Sequence, residues 1–303
     1  MTKTTAKGVG RFVTERAEQD YHLAYEAMER LWPIPVELLD IPTRYGRTRI
    51  RRSGSGKRPP LILLHGLNGT GLSWHFAVED LAQERTVIAV DVLGTAGRSV
   101  QTTPFGRETD FGEWFDEMLT GLGLGQVHLL GESNGAWHAA RLALSAGSRL
   151  RSLTLIEPNG FIVRPSTRAL LKFARLSARP TAEGWRRMAE WLTPGVSLTA
   201  EEAACAKAAM RFRPGIGWAK VLSDHDLEIL TMPTLAIFGA ESVLSQPTAA
   251  AQRLTTRLRD VKTVIIPGGG HGVHPQLPHL VRPRIQEFLA HHDHIETAGD
   301  GDV

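Results

Sequence analysis

One cysteine, Cys205, stands in 303 residues, so no internal disulfide can form and stability has to come from burial. Long apolar runs are missing too: no stretch approaches the roughly 18 consecutive apolar residues of a membrane span. The opening residues, Met1 to Gly8, lack the apolar core of a secretory signal, and a cytoplasmic setting is the expectation. Charge of one sign is not in excess. The 35 Lys and Arg stand against 32 Asp and Glu, a formal +3, with no long single-sign run, so neither nucleic acid nor a membrane is expected as a partner. Histidines are scattered; His291-His-Asp-His294 reads as an exposed tail, and no metal or organic cofactor is implied. Gly121-Leu-Gly-Leu-Gly125 precedes a strand instead of following one, so it is not a nucleotide loop. What the chain does have is apolar material, 42% of its residues, ample for a large core.

Taken in order, residues 10 to 31 carry Val13, Ala17, Tyr21, Ala24, Met28 and Leu31 at spacings of three and four, an amphipathic helix ended by Pro33 and Pro35. Residues 36–41 and 48–52 read as a hairpin about Arg44-Tyr-Gly-Arg47, and Gly54 to Pro60 as a surface loop. Leu61-Ile-Leu-Leu64, Thr86 to Val90, Val127 to Leu130 and Leu153 to Ile156 are short apolar strands of the kind buried on both faces, and the sheet resumes with Thr234 to Phe238 and Lys262 to Ile266. Helices are expected at 77–83, 111–124 and 280–291, and this alternation implies an α/β protein with a mostly parallel sheet and right-handed crossovers. The rhythm breaks over 159–230, where helical stretches at 167–176, 182–192 and 200–212 read as an inserted cap. The expected plan is an N-terminal arm (1–35), a core (36–158 and 231–294), the cap (159–230) and a frayed tail from 295.

Val127 to Leu130 runs into Gly131-Glu-Ser-Asn-Gly135 and then a helix. A serine at the tip of a sharp strand-to-helix turn needs small neighbours, and the helix that follows aims its N-terminal N–H groups at developing negative charge. The bland alternative is a glycine-bounded surface turn. Two further motifs follow strands: His65-Gly66 after 61–64, and Gly268-Gly-Gly-His271 after 262–266.

With these three motifs in this order, the chain from about Val36 to Ala290 resembles the α/β-hydrolase family. The stretch from Ala24 to Arg44 is similar to bacterial carboxylesterase-like members. The resemblance implies an α/β-hydrolase fold with Ser133 as nucleophile, His271 as general base and the backbone N–H groups of Leu67 and Asn134 as oxyanion hole; His65 would support its loop. His274 competes with His271 for the base, and its plainer reading is a polar loop residue. Members usually place an Asp three residues after the glycine that closes the strand equivalent to 234–238. Counted from Gly239, that position holds Ser242. Two carboxylates are candidates for the acid instead: Glu157, at the end of the strand after the nucleophile helix, and Glu241.

A serine nucleophile suits acyl transfer, so an ester, thioester or lactone hydrolase is expected, acting on a small-molecule acyl substrate. A biosynthetic thioesterase or acyl cyclase would use the same residues. A relative that binds a ligand without turning it over is the alternative from another class, kept open by Ser242. Trp74, Phe161, Phe173, Trp185, Trp191, Phe212 and Trp218 are candidate substrate contacts; packing of the cap's own core is the competing account. From Arg164 to Arg187 seven basic residues face the single acid Glu183, which fits an anionic substrate, a carrier-protein partner or simply a solvated face.

Overall fold

The structure, a computed structural model, describes residues 8–177 and 182–293, without the side chains of residues 177, 182 and 185. In chain order its elements are β1 (Arg11–Phe12), α1 (Glu15–Glu29), β2 (Glu37–Thr43), β3 (Gly46–Leu64), α2 (Val78–Leu81), β4 (Arg85–Val90), β5 (Val100–Gln101), α3 (Asp110–Gly121), β6 (Val127–Glu132), α4 (Asn134–Ala146), β7 (Leu150–Ile156), α5 (Thr167–Ser177), α6 (Ala182–Leu192), α7 (Ala200–Ala209), β8 (Phe212–Arg213), α8 (Asp224–Glu228), β9 (Thr234–Gly239), α9 (Pro247–Arg257), β10 (Val261–Ile266), α10 (Val273–Gln276) and α11 (Pro278–His291).

The main sheet runs β10-β9-β7-β6-β3-β2, with β4 and β5 also paired to β3. The pairs linking β10, β9, β7, β6 and the far half of β3 are parallel, as is β3 with β4; β2 and β5 are antiparallel. Side chains alternate across each strand, so the apolar runs feed two cores. Ile62 and Leu64 pack with Phe111, Trp114 and Ala139 on one face; Leu61 and Leu63 pack with Val78, Val281 and Ile285 on the other.

Several details depart from the sequence-based expectations. Residues 54–60 are not a free loop: β3 continues through them with bulges against β4. Glycine makes that approach possible, because a Cβ at Gly56 would lie 1.8 Å from the Glu84 carbonyl oxygen. Val13, ahead of the first helix, is exposed; the buried stripe is Ala17, Tyr21, Tyr25 and Met28, of which the last three pack with Cys205 and Ala209 of α7. The last expected cap helix stops at Ala209, and Phe212 belongs to β8, paired antiparallel with β1 of the arm. The end of the chain is tied down as far as Asp293. Its buried carboxylate takes Arg85 at 2.8 and 3.1 Å and His128 Nε2 at 3.1 Å, so the reading of 291–294 as an exposed tail fails at that residue.

Candidate active site

Register, more than any single motif, assembles the site. Leu64 pairs with Gly131, Glu132 with Ile156, Ile156 with Ile237, and Gly239 with Ile266. The carboxyl ends of β3, β6, β7, β9 and β10 therefore share one edge, and the residues after them, His65, Ser133, Glu157, Ala240 and the histidine loop, gather there.

Ser133 sits between β6 and α4 at φ 54°, ψ −116°, a conformation that costs on the order of 1–3 kcal/mol for a residue with a side chain. Its N–H donates to Ile156 O at 2.9 Å, which holds the turn. The flanking glycines are required by space: a Cβ at Gly131 would lie 2.2 Å from Gly135 O, and one at Gly135 would lie 2.2 Å from Leu64 O.

Ser133 Oγ lies 2.8 Å from His271 Nε2, and His271 Nδ1 lies 3.0 Å from Glu157 Oε2. An ionised carboxylate accepts, so Nδ1 carries the proton and Nε2 is left free to accept from the hydroxyl. Glu157 is fully buried and itself held at φ 49°. Besides the imidazole it accepts the Gly239 N–H and the Ser242 hydroxyl, both at 2.6 Å. A buried carboxylate needs such a set of donors, since an unpaired charge there would be strongly destabilising. Ser242, at the position where the family resemblance led us to look for an acid, is thus a donor to the Glu157 carboxylate. Nothing local in the sequence announces that hydrogen bond. Glu241 is exposed, makes no hydrogen bond to His271, and uses its backbone N–H on Gly269 O.

His65 is buried, its Nδ1 2.9 Å from Gly66 O while its Nε2 accepts the Val92 N–H at 3.2 Å. Burial pushes its pKa below the ordinary value, so it stays neutral and braces the loop. Leu67 is exposed at the mouth of a cleft, and Asn134 opens α4 on the same cleft, with its side-chain amide donating to His138 Nε2 at 3.2 Å. The cleft holds about 480 Å³ of space open to solvent. Its outer wall comes from the segment after α7, chiefly Phe212, Ile216 and Trp218.

Of the aromatic candidates Phe212 and Trp218 line this cleft, Trp218 being 69% exposed. Trp74 is buried under Phe76, and Phe161 is buried against Trp137; both are core, because the faces they sit on are closed by neighbouring rings. Trp191 is half-buried beneath Lys172, away from the cleft lining, and the Trp185 side chain lies outside the described residues. His274 is not a polar loop residue: it is fully buried beside Phe76, its Nδ1 3.6 Å from a Glu132 carboxylate oxygen. Ile216 went unrecognised as a wall residue. Periodicity cannot show that the two-residue β8 is pinned by β1 from the opposite end of the sequence.

Sheet order, elbow and histidine loop together define an α/β-hydrolase-fold protein, and the model of the alpha/beta hydrolase fold family matches residues 59–200. Within that fold the chain is similar to bacterial carboxylesterases. It is 25% identical to "Carboxylesterase YbfK" of Bacillus subtilis, covering 89% of this chain and 93% of that protein. It is 24% identical to "Uncharacterized carboxylesterase nap" of the same organism over 89% and 92%. Among solved structures, that of the naproxen esterase (carboxylesterase NP) from Bacillus subtilis superimposes with a TM-score of 0.82 at 24% identity, covering 90% of this chain and 98% of that one.

Proposed function

We propose that this protein hydrolyses carboxylic esters through an acyl-enzyme on Ser133, with His271 as general base and Glu157 as the carboxylate that orients it. The observation that carries the reading is the unbroken hydrogen-bonded line from Ser133 Oγ through His271 to Glu157. As the hydroxyl attacks the carbonyl, Nε2 takes its proton, and the imidazolium formed is stabilised by the buried carboxylate on the other nitrogen. The oxyanion would lie against the backbone N–H groups of Leu67 and Asn134. Asn134 opens α4, and an N–H there has no intrahelical partner. His271 then returns the proton to the leaving alcohol, and water repeats the sequence to release the acid.

The likeness to the Bacillus carboxylesterases supports an ester as substrate, and the apolar wall of Phe212, Ile216 and Trp218 favours an apolar group beside the scissile bond. The 3.0 Å approach of Glu157 to His271 favours the catalytic reading over a non-catalytic relative, whose case rested on Ser242. The test is hydrolysis of p-nitrophenyl acetate and butyrate. Ser133→Ala is expected to abolish turnover, and Glu157→Gln to lower kcat by about 10³–10⁴-fold with little change in KM. An inactive parent protein, or an active Ser133→Ala, would overturn the proposal.

A further inference from the structure

α5 carries Arg168, Leu171, Lys172 and Arg175 at spacings of three and four, so they share one helical face. All four are exposed, Leu171 by 67%, with Leu170 beside it at 36% and Arg164 exposed just ahead of the helix. Between Arg164 and Ser177 there is no acidic residue. Among the described residues none of Arg164, Arg168 and Arg175 has a carboxylate partner, and Lys172 rests over the Trp191 ring at 4.8 Å. The neighbouring helix differs in this respect: in α6 Arg186 pairs with Glu183 and Glu190, and Arg187 with Glu183. Of the two helices only α5 carries uncompensated charge, and it flanks Leu171, which is turned to solvent, while Leu170 lies about 100° further round the helix at the edge of that face.

We infer that this face of α5 docks the protein peripherally on an anionic lipid surface, the cations against headgroup phosphates, Leu171 at the acyl boundary and Leu170 at the edge of the contact. A solvated face accounts for the cations and not for the leucines; an interfacial helix needs both. A flat bilayer also asks no shape complementarity of a convex helix, whereas a folded acidic partner would. No helix among the described residues is long and apolar enough to cross a membrane. The charge count alone gave no reason to expect a lipid partner; exposure of the leucines does. The location has a consequence for the site. α5 packs on α6, and the end of α6 holds the histidine loop, with Leu192 O accepting the His271 N–H at 3.0 Å. Docking would hold the active edge beside the lipid.

The test is co-sedimentation of the full chain with phosphatidylcholine vesicles, plain or containing about 30% phosphatidylserine, at low and high salt. Binding is expected to the anionic vesicles only and to weaken as salt rises. One cation near such a surface contributes about fivefold in partitioning, so Arg168→Glu/Lys172→Glu/Arg175→Glu is expected to lose at least about 100-fold. Leu171→Ser should lose several-fold at unchanged charge. Lys57→Glu/Arg30→Glu/Arg259→Glu, an equal change of net charge elsewhere, should bind as the parent does. Thermal melts and hydrolysis of a soluble ester identify variants that fail to fold, and the binding readout stands whether or not the chain is an esterase. Equal binding to plain vesicles, equal loss in both triple variants, or indifference to Leu171→Ser would overturn the inference, the last assigning the face to a soluble polyanion or acidic protein.

Discussion

Lowering the pH toward 5 should destabilise this protein by several kcal/mol before most of its carboxylates titrate. His128 and His138 are both fully buried, and burial lowers their pKa values to about 4 and about 3. For His128 the nearby Arg85 adds to the effect, while Asp293 opposes it. The unfolded chain takes up a proton on each near pH 6.5, and the folded chain does not. Their contribution is therefore complete above about pH 6.5 and is lost as the pH falls toward 4 and 3. At pH 5 each imidazole has cost about 2 kcal/mol, about 4 kcal/mol together, against a total stability of about 5–15 kcal/mol. His65, His22 and His292 are also lowered, chiefly by burial, and act in the same direction. Asp293, whose burial is outweighed by its bonds to Arg85, is held below the usual carboxylate range, so its share is lost only at more acidic pH. The assay is urea unfolding at pH 7.5 and pH 5. His138→Phe, placed beside Phe111, whose ring centre lies 5.5 Å from the imidazole, should remove about half of the difference. Equal stability at the two pH values, to within about 1 kcal/mol, or an undiminished difference in His138→Phe, would refute the reasoning.

Asp293→Ala leaves the buried Arg85 guanidinium without its paired carboxylate and should cost about 3–5 kcal/mol, read as a lower Tm; a melt matching the parent's would show the clamp to be idle. Gly239→Ala would put a Cβ 2.3 Å from the carbonyl oxygens of Gly269 and Gly270, pushing the histidine loop away. Ester turnover should drop by about 10² or more even where the variant folds. Tyr25→Phe removes the 2.7 Å hydrogen bond from the arm to the buried Asp91. About 1.5–3 kcal/mol should be lost in denaturant titration, and a loss under about 0.5 kcal/mol would mean the arm is held by packing alone.

The buried strands and the elbow were legible because their signals are local. Leu61 to Leu64 reads as a strand closed on both faces, and Gly131 to Gly135 as a turn that only small residues permit. The choice between Glu157 and Glu241 was not local. It turns on β9 lying beside β7, which brings the Gly239 N–H and the Ser242 hydroxyl onto the Glu157 carboxylate. Aromatic content misled for a related reason: composition marks Trp74 and Phe161 as large and apolar, while only packing decides whether a ring meets a cleft or another ring. The polar residues after His291 looked like a tail because the partners of Asp293, namely Arg85 and His128, lie more than 160 positions earlier in the sequence.

The most direct measurement of the central claim is intact mass after brief exposure to a reactive fluorophosphonate at neutral pH. The account predicts one adduct, located on Ser133, formed rapidly in the parent and in Glu241→Gln, and slowed by orders of magnitude in Glu157→Gln and His271→Ala. Equal labelling of Glu157→Gln and the parent, or no labelling of the parent by this probe and a smaller one, would contradict it.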